Sequence, residues 1–354
     1  MIRIHAAVLL AALTAIPSSV PAQSEKTAVP FADRIRDLSE PPGHFDTDNL
    51  ISNERRYLEV VPTLAQTGVT GGAYVGVGPD QNFSYIARVR PSVAYIIDIR
   101  RDNLLLHLLF KALFAAAPTR VEYLCLLTGR APPQGAARWR DRPLDDVLTW
   151  VDSAPMVDRA AMRTDVERRV RGFGLPLAAS DLDTIARFHG EFIDKGLGLR
   201  FTSHARAPLS YYPTFRMLLQ AEDRDGQRWS FVASEDAYEF VRGLQARDAV
   251  VPIVGDLAGP HAMRAIGAAL KADGVALSAF YASNVEDYLF RRDRFVPFVD
   301  NLRTLPRRPG AALIRSVFRR GTSVSMVQPV DDLLKGVLQG RFRVYGDLVM
   351  ASRP

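Results

Sequence analysis

The chain has 354 residues, 47% of them hydrophobic and 24% charged, with a net charge of +6 and a single cysteine. That is enough apolar sequence for a sizeable core, and it excludes a disordered chain or a disulfide-framework protein. The arginines are scattered in small groups such as Arg291-Arg292, Arg307-Arg308 and Arg319-Arg320. Such groups read as solvated faces, so no nucleic-acid partner is expected.

At the amino terminus, Arg3 precedes an apolar run from Ala6 to Ile16, followed by Pro17-Ser-Ser-Val-Pro-Ala22. This is the tripartite form of a secretory signal, with cleavage near Ala22. The run is too short to cross a bilayer, so the expectation is a periplasmic or secreted protein without a transmembrane anchor after cleavage. Residues 23–45 read as a flexible leader, and residues 46–354 as one α/β domain. Asp46 or Asp48 suits the N-cap of a helix from Asn49 to Leu64.

The most informative stretch is Gly71 to Asn103. It reads as a buried strand (Ala73 to Val77), a glycine turn (Gly76, Gly78), a helix (Gln81 to Val89) and a second strand (Val93 to Ile97) closed by Asp98. Glycines without a Cβ allow close approach to a ligand, and the helix that follows turns its free N–H groups toward the same place. Asp98 lies 20 residues after Gly78, a spacing that reaches ribose hydroxyls. The lesser reading of Asp98 is the N-cap of the next helix, unless Asp102 does the capping. Arg100 and Arg101 stand beside it, to orient its carboxylate or to meet an anionic group.

The next helix, Asn103 to Ala117, is apolar almost all round, which predicts burial and makes His107 a core histidine. Cys125, among leucines, reads as a small buried hydrophobe. Regular alternation then fails, and residues 118–246 read as an inserted, largely helical subdomain. Its expected helices lie near Leu144 to Trp150, Met162 to Val170 and Ser180 to Lys195, with a closing hairpin of arms Arg216 to Ala221 and Arg228 to Ala233. The polar candidates within it, His189, Glu191, His204, Tyr211, Tyr212, Glu235 and Asp236, lack metal-ligand spacing, and no metal site is expected.

Alternation resumes with the strand at 250–254, Gly255-Asp256, a helix Pro260 to Leu270 and a strand Val275 to Tyr281 leading into Ser283-Asn284-Val285-Glu286. A helix Phe295 to Leu305, a strand Ala311 to Phe318 and a last strand Phe342 to Met350 complete the reading. The carboxyl ends of parallel strands share one crevice, so Gly76, Gly78, Asp98, Asp256 and Ser283 to Glu286 should converge.

This pattern resembles the class I S-adenosylmethionine-dependent methyltransferases over Gly71 to Ala117 and Ala249 to about Phe318. The resemblance implies a doubly wound, Rossmann-like, mostly parallel sheet and S-adenosylmethionine as cofactor, with a small-molecule ligand as partner. It also implies cofactor-binding roles for Gly76, Gly78, Asp98, Asp256 and Ser283, beside which Asp80, Asn82 and Arg100 are further cofactor-binding candidates, and catalytic roles for Asn284, which would orient the acceptor, and for Glu286 or Asp256 as its base. Asn284 as a helix cap and Glu286 as a first-turn charge are the structural alternatives. The turn departs from that family's pattern, with Asp80 in place of a third small residue and Tyr74 in place of an acid. A non-catalytic protein that keeps the fold and binds a nucleoside-like or anionic ligand is the alternative function. The strings SNERRYL, GVGPDQNFSYIA, DIRRDN and YASNVEDYL further look like an uncharacterised family of bacterial, often exported proteins.

Overall fold

A computed structural model describes residues 29–47, 49–203, 209–319 and 322–353. The signal segment, the start of the leader, Asp48, His204 and Arg320 lie outside these residues. The elements run α1 (Phe31–Leu38), α2 (Val61–Gln66), β1 (Ala73–Gly76), α3 (Gln81–Val89), β2 (Val93–Asp98) and α4 (Arg101–Ala116). Then come α5 (Arg120–Leu127), α6 (Leu144–Ser153), α7 (Arg159–Arg171), α8 (Ala179–Lys195), α9 (Phe215–Leu219), α10 (Glu235–Ala246), β3 (Val250–Val254) and α11 (Ala262–Ala272). The chain closes with β4 (Leu277–Ser283), α12 (Val285–Arg291), α13 (Phe295–Thr304), β5 (Arg307–Arg319), β6 (Thr322–Pro329), α14 (Val330–Leu338) and α15 (Tyr345–Met350).

The fold is α/β, built on a six-stranded sheet of order β3-β2-β1-β4-β5-β6. Strands β1 to β5 pair in parallel, and β6 returns antiparallel beside β5. The first three strands are near-continuous apolar runs and are buried along almost their whole length, as a parallel sheet covered on both faces requires. Pro252 lacks an N–H to donate, and it is tolerated because β3 is an edge strand. From β1 the order grows one way through β2 and β3 and the other way through β4 and β5. With right-handed crossovers, the connecting helices of the two halves fall on opposite faces.

Several sequence expectations are corrected. Residues 23–45 are not leader throughout: Phe31, Ile35 and Leu38 share one face of α1 and are buried in the core. Among its contacts, the Lys111 ammonium sits 4.5 Å from the Phe31 ring. The helix expected over 49–64 is reduced to α2, because Pro62 removes a backbone donor and disfavours helix just before it. The hairpin turn at Asp225-Gly226 forms, with Asp223 N–H donating to Gln227 O at 2.9 Å, but its first arm is the helix α9, capped by Thr214. The last strand expected at 342–350 is instead α15, whose start is fixed by the Asp347 carboxylate accepting from Arg343 N (2.7 Å) and Val344 N (3.1 Å). The edge strand β6 escaped notice because its buried face includes Ser323 and Ser325 rather than apolar residues alone.

Candidate functional site

At the carboxyl ends of β1 to β4, where the strand order reverses, lies a cavity of about 470 Å³. The ends of the strands supply Val77, Gly78, Ile97, Asp98, Gly255, Asp256, Ser283 and Asn284, so residues far apart in sequence converge. Such a crevice is the place where open α/β sheets take their ligands.

Gly78 lines it with φ of +83°, a left-handed value that favours glycine. The turn around it is held from behind by Asn82, which is fully buried. Asn82 Nδ2 donates to Val77 O (2.9 Å), Gly78 O (3.2 Å) and Pro79 O (2.8 Å), while Oδ1 accepts from the Tyr74 hydroxyl (2.8 Å). His107 supports the same turn, its Nε2 lying 2.9 Å from Gly78 O. Burial lowers His107 to about 4, so the ring is neutral near pH 7 and Nε2 is the N–H donor.

Asn82 is therefore corrected from a cofactor contact to a residue that shapes the turn. Gly76 changes in the same way: a Cβ there would come within 2.0 Å of Asn82 Oδ1 and 2.7 Å of the Tyr74 ring, so internal packing is what demands the glycine. Tyr74, the departure from the methyltransferase pattern, is the partner that Asn82 needs.

Asp80 is corrected too. It is 4% exposed and is not part of the cavity wall, and the groups that sense its charge include the buried Tyr57 and Tyr123. Burial raises it from 3.8 to about 7, against the opposing pull of backbone N–H groups at the start of α3. A raised carboxyl favours the folded state when protonated. Its contribution is complete below about pH 4 and is lost as pH rises through about 7. Asp80→Asn should flatten that decline, by on the order of 2 kcal/mol, in urea unfolding measured from pH 5 to 8.5. An unchanged pH profile would show that the buried carboxyl is not the titrating group.

Asp98 lines the cavity and is held by Arg100. Nε donates to Oδ1 (2.9 Å) and Nη2 to Oδ2 (2.7 Å), while Nη1 reaches Thr47 O at 2.8 Å. Arg100 thus orients the carboxylate, whereas Arg101 pairs with Asp181 and ties α4 to α8. Asp256 also lines the cavity, accepting from Ala258 N at 2.9 Å with Arg294 Nη2 at 3.3 Å. Ser283 ends β4 in a left-handed conformation, φ +52°, and Asn284 follows on the wall.

Glu286, expected as a catalytic base, is corrected. It is fully buried and paired with the equally buried Arg315, Nε to Oε2 at 2.5 Å and Nη2 to Oε1 at 3.1 Å, away from the cavity. Cys125 is buried, and its thiol is pushed up to about 12 by burial, which leaves it inert at neutral pH.

Sequence reasoning missed Glu54, Gln81, His44, Asn49, Tyr288 and Arg292. All but Glu54 line the cavity. Glu54 lies behind the wall, 2% exposed, accepting hydroxyl hydrogens from Tyr281, Ser283 and Ser316. Burial raises its pKa, and the three hydroxyls oppose the shift. The string SNERRYL contains Glu54, yet nothing in the string announces that it folds inward. A second cavity of about 510 Å³ adjoins the first, sharing Asn284 and Tyr288 and adding Tyr211, Tyr212, Arg291 and Tyr345.

Among the described residues no group of three or more His, Cys, Asp or Glu side chains is placed to hold a metal ion. No described helix is long and apolar enough to cross a membrane. No curated protein matches the chain. A family described as a domain of unknown function, DUF7790, matches residues 50–136 and 205–343, which is more than half of the chain.

Proposed function

The chain belongs to the DUF7790 family, and from the geometry of its crevice we propose that it is a Rossmann-like, methyltransferase-type protein that binds S-adenosylmethionine. The observation that carries this reading is one cavity bounded by the glycine turn after β1, the acid ending β2, the acid after β3 and the loop after β4. Its volume of about 470 Å³ suits a nucleoside-sized ligand. Asp98 accepts three bonds from Arg100, two of them on Oδ1, so Oδ2 keeps a lone pair for a ribose hydroxyl, and Asp256, on the same cavity wall, is an acceptor for an exocyclic amine.

Bound there, S-adenosylmethionine would supply a sulfonium methyl group for in-line transfer to a nucleophile. The chain's own part is positioning: Gly78 admits the ligand closely, Arg100 fixes Asp98, and Asn284 and Tyr288 face both cavities, which makes the second the natural place for an acceptor. Binding without transfer is the second reading, favoured by the burial of Glu286 against Arg315, which takes the expected base out of the crevice.

Calorimetry with S-adenosylmethionine and S-adenosylhomocysteine tests the proposal. Micromolar binding that Asp98→Asn weakens about tenfold supports the ribose assignment, because the amide offers a donor where the hydroxyl needs an acceptor. No heat with either compound at millimolar concentration would sink it. Transfer is separated from binding by whether radiolabel from the cofactor's methyl group reaches any acceptor.

A further inference from the structure

Away from the crevice, α7 and α8 flank a cavity of about 320 Å³ that shares no residue with it. The two helices lie outside both segments that the family model matches. From α7, Arg159, Arg163, Val166 and Glu167 line the cavity, spaced as successive turns of one helical face. The α8 side includes Ile185, Ala186, His189 and Gly190, and the space opens where Ala186 and Gly190 have almost no side chain to fill it. A Cβ on Gly190 would come within 2.7 Å of Arg159 Nη2, so the glycine lets that guanidinium lie against α8. Asp194 holds the same guanidinium in place, at 2.6 and 3.3 Å.

Three kinds of chemistry meet in this space. His189 is 4% exposed, and its Nε2 donates to Leu126 O at 2.9 Å. Burial lowers its pKa, so the ring is neutral near pH 7 and Nδ1 carries a lone pair. Among the described residues nothing hydrogen-bonds Nδ1, and it is not covered, so the lone pair opens on the cavity that the ring lines. The rim carries both signs of charge with capacity to spare. Arg163 gives only Nη2, to Asp183 Oδ1 at 3.0 Å, and Glu167 accepts both of its bonds from Arg171 on Oε1, at 3.0 and 2.8 Å. Arg163 Nε and Nη1 and Glu167 Oε2 are thus open to a ligand, and these exposed ion pairs are weak enough to rearrange around one. Val166, Leu182, Ile185 and Ile193, all buried, supply an apolar wall.

We propose that this cavity binds a free aliphatic amino acid. Its carboxylate pairs with Arg163, whose fork of donors matches two oxygens, and its ammonium donates to His189 Nδ1 and Glu167 Oε2. The hydrocarbon side chain packs on the apolar wall. An acid without the ammonium leaves the histidine lone pair unmatched, and an amine without the carboxylate leaves the arginine so.

Saturation-transfer NMR and calorimetry on the full chain test the site, with L-leucine, L-isoleucine and L-valine as probes. At least one should bind with a dissociation constant below about 1 mM. Leucinamide, which lacks the carboxylate, leucic acid, with a hydroxyl in place of the ammonium, and glycine, which lacks the side chain, should each bind about tenfold more weakly or worse. Arg163→Gln, on an exposed side chain, should weaken binding about tenfold. Ala186→Leu places a good helix former in the open space and should abolish it, with circular dichroism showing that the fold is kept. No binding of any of the three amino acids at millimolar concentration overturns the proposal. So does equal affinity for leucinamide or leucic acid, or undiminished binding to Ala186→Leu. The crevice is untouched by either substitution, so none of these outcomes bears on its ligand.

Discussion

Glu286→Ala should lower the stability of this protein by about 3–5 kcal/mol, read as a fall in the urea midpoint, while changing S-adenosylhomocysteine affinity less than twofold. The substitution leaves the Arg315 guanidinium buried without its carboxylate. Its remaining partners, Gln328 Oε1 at 2.8 Å, Leu348 O at 3.4 Å and the Ser352 hydroxyl, are neutral. Such a charge has no route to water, because both side chains of the pair are completely covered. An apolar Glu286→Leu exchange made alone leaves the same stranded charge, whereas the double change Glu286→Leu with Arg315→Met removes both charges together and should recover most of the loss. A stable Glu286→Ala protein with impaired ligand binding would return Glu286 to the crevice and refute the structural role.

Asn82→Asp should cost about 3 kcal/mol or more and abolish S-adenosylhomocysteine binding. The exchange is nearly isosteric, yet it sets an oxygen against the carbonyls of Val77, Gly78 and Pro79, which now receive Nδ2 at 2.8–3.2 Å. The three carbonyls lose the side-chain donor they share, though Gly78 O keeps His107 Nε2 (2.9 Å) and Pro79 O keeps the Asn82 backbone N–H (3.4 Å), and a buried acceptor that loses its donor costs roughly 1–3 kcal/mol before relaxation. The turn that carries Gly78 is the element that relaxes, so binding falls with stability. Gly76→Ala reaches the same turn by another route, since its Cβ would press on Asn82 Oδ1 and the Tyr74 ring. Thermal melting together with calorimetry on both variants checks the pair. Normal ligand affinity in a destabilised Asn82→Asp protein would separate the turn from the site.

These predictions turn on how local patterns meet distant partners. The first β-α-β unit was legible because its information is local: apolar runs buried on both faces, glycines at a turn, a helix start, and an acid 20 residues beyond Gly78. Asp98 and Asp256 were legible in the same way, as acids following buried strands. Expectations failed where a feature had two local readings. Phe342 to Met350 suited a strand until Asp347 capped it as a helix, and the leader's Pro and charge content hid the i, i+4, i+7 spacing of Phe31, Ile35 and Leu38.

By itself, then, the sequence determined the α/β class, the glycine turn and the acids at the strand ends, because each follows from spacing within a few turns of chain. Only the tertiary structure decided what faces the crevice. Glu54 meets Tyr281 across 227 positions, and Arg315 reaches Glu286 across 29. A carboxylate's role depends on which side of the wall it occupies and on what donates to it. Glu286, expected in the site, is a buried brace; Glu54, unremarked in its string, gathers the hydroxyls of Tyr281, Ser283 and Ser316 behind the wall.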